Sequence, residues 1–326
     1  MRNTDARLVE NPFSEKLEKA STRDGFGLGV VEAGKESEQV VVLSADLKES
    51  TRAEWFEKEF PDRFIEVGVA EQHMATVAAG LAAVGKIPFI TSYAAFSPGR
   101  NYEQIRTTAA LNEMPVKVCG MHAGVSVGPD GATHQMLEDM GMMRMLPGMT
   151  VLNPLDREEG RKMVKLAAKL TGPTYLRFGR SDVPIVTTEH TPCEIGKALT
   201  LWEGEKPQVT LCGTGALSYT ALLAARALEA EKISSTVLHF GTVKPLDRKA
   251  IEEALKKTGH LITIEEHQVA GGFGSAVAEV AAEIGGKVLR LGIEDQFGQS
   301  GTPEELLSHY GLDVRSVVEK TKSFLR

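Results

Sequence analysis

"RFIEVGVAEQHMATVAAGLAAVG", residues 63–85, begins as an apolar strand and turns into a helix of small residues. Phe64, Ile65, Val67 and Val69 read as a strand buried on most sides. Ala75, Ala78, Ala79, Gly80, Ala82 and Ala83 read as a closely packed helix, almost entirely buried. Glu71, followed by Gln72 and His73, stands at the junction. A carboxylate in a first helical turn is favoured by the helix dipole and by unpaired backbone N–H groups, and that alone accounts for its position. In an open parallel sheet, however, ligands sit at the carboxyl ends of strands, where Glu71 falls. Burial there raises the pKa of a carboxyl and favours a group that holds or shares a proton. On this segment alone the structural reading leads.

Outward from this stretch, apolar runs alternate with helical patterns. "VVVLSAD" (40–46), "RFIEVGV" (63–69), "IPFITSY" (87–93), "PVKVCGM" (115–121), "TVLNP" (150–154) and "TYLRFGR" (174–180) read as strands, with helical spacing in "AEWFEKEF" and "REEGRKMVKLAAKL" between them. Val- and Ile-rich strands separated by helices predict a mostly parallel sheet with helices on both faces. "SDVPIVTTEHTPCEIG" (181–196) loses periodicity and reads as a linker. The pattern then resumes in "VTLCGTG", "STVLHFG", "LITIEEH" and "KVLRLGI". The expected fold is therefore α/β in two domains of the same kind, residues 1–190 and 191–326. "MLEDMGMMRMLPGM" holds six of the eleven methionines and reads as packing material. "GGFGSAVAEV" (271–280) has the look of a phosphate loop but matches no nucleotide fingerprint; tight strand–helix packing explains it.

The 326 residues are 42% hydrophobic and 25% charged, an ordinary globular composition. The N-terminal residues carry no signal-peptide core, and no apolar run is long enough to span a membrane. Cys119, Cys193 and Cys212 are scattered, which argues against a metal site or disulfides and fits a reducing cytoplasm. A net charge of −7 argues against broad nucleic-acid binding while leaving room for a local anion site.

Three more stretches fall where loops should leave the first sheet. "TSYAAFSPGR" (91–100) offers Tyr93 and Phe96, which read as core or as a flat wall for a ring. "MHAGVSVGPDGATHQ" (121–135) is long for a connection and contains His122, Asp130 and His134. "RFGRSD" (177–182) carries Arg180 at the tip of a strand. Together these stretches and Glu71 put a carboxyl, aromatics, two histidines and an arginine at one sheet edge.

Over nearly its whole length the sequence resembles the C-terminal two-thirds of transketolase, a thiamine-diphosphate enzyme, and in particular the second subunit of the split forms. "STRDGFG", "SADLKES", "EVGVAEQHM", "SYAAF", "HAGVSVGPDGATHQ", "PTYLRFGR" and "FGQSGTPEELL" occur in the family's order and spacing. The resemblance implies that Glu71 is catalytic, hydrogen-bonding the ring nitrogen of the cofactor's aminopyrimidine and stabilising its imino tautomer. It implies that Phe96 and Tyr93 form the wall of the pyrimidine, with Tyr93 standing where many relatives have Phe. Asp46 would lie at the cofactor's edge. His134 and Asp130 would orient the donor sugar near its first hydroxyls, His134 assisting proton movement. Arg23, Ser50, His122 and Arg180 would grip the sugar's terminal phosphate.

The family binds the diphosphate through a divalent metal, Mg2+ or Ca2+, held by a Gly-Asp-Gly motif and a downstream Asn. Here Asp-Gly occurs only at Asp24–Gly25 and Asp130–Gly131, neither preceded by Gly, so Asn153 has no motif to complete. The resemblance therefore implies that this chain holds the pyrimidine half of the site and no metal. An alpha-type subunit would hold the diphosphate and metal, in an α2β2 assembly that transfers a two-carbon ketol unit between sugar phosphates. A deoxyxylulose-phosphate-synthase-like chain, a 2-oxo acid dehydrogenase beta subunit and a non-catalytic paralogue are the alternatives. His122 and the synthase's usual single chain of three domains speak against the first, the loop "GPDGATHQ" against the second, and retention of Glu71, Phe96, Asp130, His134 and Arg180 against the third.

Overall fold

The strands pair into two large sheets and one two-stranded ribbon, Lys19–Ser21 with Asp182–Pro184, in the computed structural model, which describes residues 3–326. The strands are β1 (Lys19–Ser21), β2 (Val40–Ser44), β3 (Phe64–Glu66), β4 (Ile87–Tyr93), β5 (Lys117–Met121), β6 (Thr150–Leu152), β7 (Thr174–Arg177), β8 (Asp182–Pro184), β9 (Leu199–Glu203), β10 (Val209–Gly213), β11 (Ser235–His239), β12 (Thr242–Lys244), β13 (His260–Gln268) and β14 (Lys287–Ile293). The first sheet has the order β12-β6-β7-β5-β4-β2-β3, parallel throughout except for β12 at one edge. The second has the order β14-β13-β10-β11-β9, with only β9 antiparallel.

Alternation along each central strand explains why both faces of the first sheet are covered. Val40, Val42, Phe89, Cys119 and Leu176 point into one core with Phe26, Val30 and Val164. Their neighbours Val41, Leu43, Ile90, Val118 and Tyr175 point into the other with Ala75, Ala78 and Ala82. On the first face the helices Thr22–Glu36 and Arg157–Ala168 approach so closely that a Cβ at Gly25 would sit 2.3 Å from the Arg157 carbonyl oxygen. Glycine there is a packing requirement. The core of the second face runs on into Phe240, Ile251, Leu255 and Val277, so the two halves share one apolar interior.

The decisive stretch folds somewhat differently from its reading. Its strand is only Phe64–Glu66, the last of the sheet, and Val69 is 69% exposed. An edge strand has one neighbour, so its apolar residues are only partly covered. The helix Glu71–Ala83 buries Met74, Ala75, Ala78, Ala79 and Ala82 but leaves Gln72, His73, Thr76 and Gly80 outward. The expected linker contains β8, which pairs antiparallel with β1. At the other end of the chain, Ala6 and Leu8 join the core under the second sheet, and Phe13 meets Trp202 edge-on at 5.8 Å between ring centroids.

Buried polar groups tie the halves together. Arg177 Nε donates to Asp139 Oδ2 at 2.7 Å and its Nη2 to the Glu266 carbonyl at 2.8 Å, while the Tyr175 hydroxyl donates to the same Asp139 oxygen at 2.7 Å. His239 bridges Ser218 Oγ at 2.7 Å and Glu159 Oε2 at 2.8 Å. The "GGFG" loop is explained by packing. The N–H groups of Phe273 and Gly274 both donate to the Glu265 carboxyl, each at 2.7 Å, so a side chain of the protein already takes the place a phosphate would occupy at those two donors. Among the described residues, no helix is long and apolar enough to cross a membrane.

Candidate active site at the carboxyl edge of the first sheet

Glu71 opens its helix just beyond β3, so the topology delivers its carboxyl to the carboxyl edge of the sheet. It is 1% exposed, as its position in the sequence suggests. Yet its carboxyl is not left in an apolar surrounding: Arg100 Nη1 lies 2.6 Å from Oε2, and Ser92 Oγ lies 3.5 Å from Oε1. Asn101 Nδ2 donates to the Glu71 carbonyl at 3.0 Å, tying the helix start to the loop after β4.

That loop and the one after β5 bring four rings together. Tyr93 and Phe96 stack with centroids 5.9 Å apart, and Tyr93 stacks on His122 at 3.9 Å. His134 meets Tyr93 at 5.9 Å and Phe96 at 5.6 Å, edge-on to both. Two residues from the long loop therefore sit against two from its neighbour, as expected if the stretch 121–135 is functional. His122 has a positive φ of 55°, uncommon for a residue with a side chain, and is 2% exposed with Nδ1 buried and unpartnered.

A cationic group borders the rings. Arg23 Nη1 donates to the Ser50 carbonyl at 2.9 Å, and Arg180 Nη1 to the Val127 carbonyl at 2.8 Å. Ser50 thus enters the site through its backbone. Arg52 pairs with Asp24 at 2.7 Å close by. Burial first, then the neighbouring Arg52, lowers the pKa of Arg23 below the usual arginine value. Burial, followed by the charges of Arg23 and Arg180, pushes the imidazole of His122 down to about 3, so the ring is neutral at any physiological pH.

Asp46 and Asp130 are more exposed than the residues of this group. Asp46 is exposed, with a φ of 61°, and its N–H donates to Glu66 Oε1 at 2.8 Å. Asp130 is exposed on the outer turn of the long loop. Sequence reasoning missed Arg100, Arg52 and the Glu266 carboxylate. Glu266 Oε2 accepts the Ser126 N–H at 3.0 Å and pins the long loop from the second half. A signal existed for Arg100 alone: it follows Phe96 by four residues, where a helical turn brings a side chain back over its predecessor.

Residues 18–186 match the family model described as transketolase, pyrimidine binding domain, and residues 196–317 the one described as transketolase, C-terminal domain. This chain belongs to the transketolase family. It is 43% identical to a Methanocaldococcus jannaschii protein named for the C-terminal section of transketolase, over 91% of this chain and 94% of that one. It is 39% identical to mouse (Mus musculus) transketolase over 98% of this chain, but spans only 51% of the mouse protein. A solved structure described as a split gene transketolase, inactive beta4 tetramer, is 44% identical with a TM-score of 0.87, covering 94% of this chain and 98% of that one.

Family membership implies thiamine diphosphate, and the residues present fit its pyrimidine half. Phe96 and Tyr93 offer a flat apolar wall, Glu71 a buried carboxylate beside it, and His122 an unpartnered nitrogen. Among the described residues no group of three or more His, Cys, Asp and Glu is placed to hold a metal ion. A wide groove of about 980 Å³, lined in part by Met142, Met145, Leu289 and Phe297, lies elsewhere and includes none of these side chains.

Proposed function

We propose that the chain is the beta subunit of a split transketolase, active with an alpha subunit, transferring a two-carbon ketol unit from ketose phosphates to aldose phosphates. In this reading residues 1–190 form the pyrimidine-binding domain and 191–326 the C-terminal domain. The partner supplies the diphosphate and metal half of the site, with Mg2+ or Ca2+, in an α2β2 assembly. The observation that carries it is a carboxylate only 1% exposed at a sheet edge beside stacked Tyr93, Phe96 and His122 rings.

Bound thiamine diphosphate supplies the nucleophilic carbon and the electron sink for breaking a carbon–carbon bond. The chain's own residues do the rest. Glu71 would donate and share a proton with the pyrimidine ring nitrogen, while Phe96 and Tyr93 would orient the ring and exclude water, with Asp46 at the cofactor's edge. His134 and Asp130 align the donor's first hydroxyls, and His134 moves a proton there. Arg23 and Arg180 offer forked donors to the distal phosphate, with neutral His122 as a further hydrogen-bonding group and Ser50 beside them.

Glu71→Gln keeps shape and removes the shared proton. In the chain reassembled with its partner, exchange of the cofactor's C2 proton, followed by NMR, should fall about 10²–10⁴-fold. Exchange at the wild-type rate would make Glu71 a helix-terminal residue and nothing more.

A further inference from the structure

The guanidinium of Arg100 makes two contacts at once. Nη1 lies 2.6 Å from Glu71 Oε2, and Cζ lies 4.9 Å from the centroid of the Phe96 ring. A guanidinium is flat, stacks on aromatic faces and carries N–H donors along its edge. A protonated aminopyrimidine has the same three properties. The contacts that the proposed function asks of the pyrimidine, a stack on Phe96 and an N–H to Glu71, are those Arg100 already makes.

Exposure adds a direction. Glu71 is 1% exposed, whereas the Arg100 side chain is 47% exposed. The guanidinium reaches in from the solvent side and closes over the carboxylate. Its backbone N–H donates to the Phe96 carbonyl at 2.9 Å, so the same turn carries the wall and the arginine. The long side chain can swing outward while the wall stays in place.

We propose that Arg100 is a built-in stand-in for the aminopyrimidine, filling its subsite while the chain is cofactor-free and swinging into solvent when the cofactor loads. This rests on the pyrimidine-site reading above. The arginine keeps a buried carboxylate paired and the wall covered before loading. It also competes with the cofactor, which must displace it from both contacts.

The test is calorimetric titration of the full chain with thiamine, which carries the pyrimidine but no diphosphate. Removing the competitor in Arg100→Ala should tighten binding about 5- to 30-fold, the range for one charge-assisted contact discounted for partial exposure. Arg100→Lys keeps a cation near Glu71 but loses the flat fork, and should tighten binding less. Unchanged or weaker binding in Arg100→Ala overturns the proposal. Phe96→Ala made in the Arg100→Ala background tests the underlying reading separately, because with no competitor present loss of the wall must weaken thiamine binding. If that double variant binds as Arg100→Ala does, or if neither wild type nor Arg100→Ala binds millimolar thiamine, the pyrimidine-site reading fails and the proposal fails with it.

Discussion

Removing Arg180 should separate grip on a substrate's far end from the chemistry at its near end. Its Nη1 is committed to the Val127 carbonyl at 2.8 Å, leaving the rest of the fork free beside Arg23 and His122. Arg52 adds positive charge but is paired with Asp24, so Arg23 and Arg180 are the cations left to face an anion. Arg180→Ala thus removes one of two guanidinium groups and leaves the other. Loss of one charge-assisted contact costs about 1.5–3 kcal/mol, or roughly 10- to 150-fold in kcat/KM. Part of the loss belongs in kcat, because remote binding energy helps position the reacting centre. The assay compares a phosphorylated ketose with hydroxypyruvate, which has no phosphate, in the reassembled enzyme. Arg180→Ala should slow the first and spare the second. His134→Ala, beside the proposed reacting end, should slow both. A thermal midpoint near that of the wild type shows that freeing the Val127 carbonyl has not loosened the loop. Equal slowing of both substrates by Arg180→Ala would refute the phosphate assignment and leave Arg180 as a loop anchor.

Two predictions concern protonation. Lys117 is fully buried, with Nζ donating to the carbonyls of Leu170 at 2.7 Å and Gly172 at 2.8 Å, and burial pushes its pKa down to about 7. The unfolded chain holds this proton to higher pH than the folded one. Stability linked to Lys117 is thus present above the unfolded pKa and lost as pH falls toward 7, at up to about 1.4 kcal/mol per pH unit. Urea unfolding at pH 7, 8 and 9 should therefore show the wild type gaining on Lys117→Met as pH rises; a constant gap between the two would contradict it. His122, with its pKa pushed down to about 3, should show no imidazole titration by NMR between pH 5 and 8. A midpoint near the ordinary histidine value would mean that the ring is solvated and away from the arginines.

The first sheet was legible because its central strands are continuous apolar runs: the run Ile87–Tyr93 was read to the residue. What failed was reading burial from hydrophobicity at the margins. Val67 and Val69 look like strand residues, but β3 has a neighbour on one side only, and the chain leaves the sheet after Glu66. β8 was hidden because its partner β1 is remote in sequence, and no local period records such a pairing. At the site, residue type and loop position located Glu71, Phe96, His122, His134 and Arg180. The arrangement among them was not legible. Neither the Arg100–Glu71 pair nor the use of Ser50 through its carbonyl leaves a mark in spacing. The exposure of Asp46 and Asp130 was likewise not readable from their positions in the sequence.

The second half has a structural part in the site. The long loop leaves β5 through His122 and must return with His134 against the same aromatic rings. Glycines let it turn: Gly124, Gly128 and Gly131 all have positive φ. Such a chain is costly to order, since glycine loses the most backbone freedom on folding. Much of its fixing comes from across the boundary. Glu266, on β13, accepts the Ser126 N–H, and a Cβ at Gly124 would lie 2.5 Å from that carboxylate, so the loop can seat there only with glycine. Gln135 Nε2 donates to the carbonyls of Val125 and Gly128 within the loop and to that of Gln299 from the second half, at 2.9–3.1 Å. Arg177, at the end of β7, reaches the Glu266 carbonyl and holds β13 at the height where its carboxylate meets the loop. The loop that carries both histidines is therefore braced by a sheet that contributes no ring or cation to the cluster. That dependence gives a physical reason for the two halves to share one apolar interior.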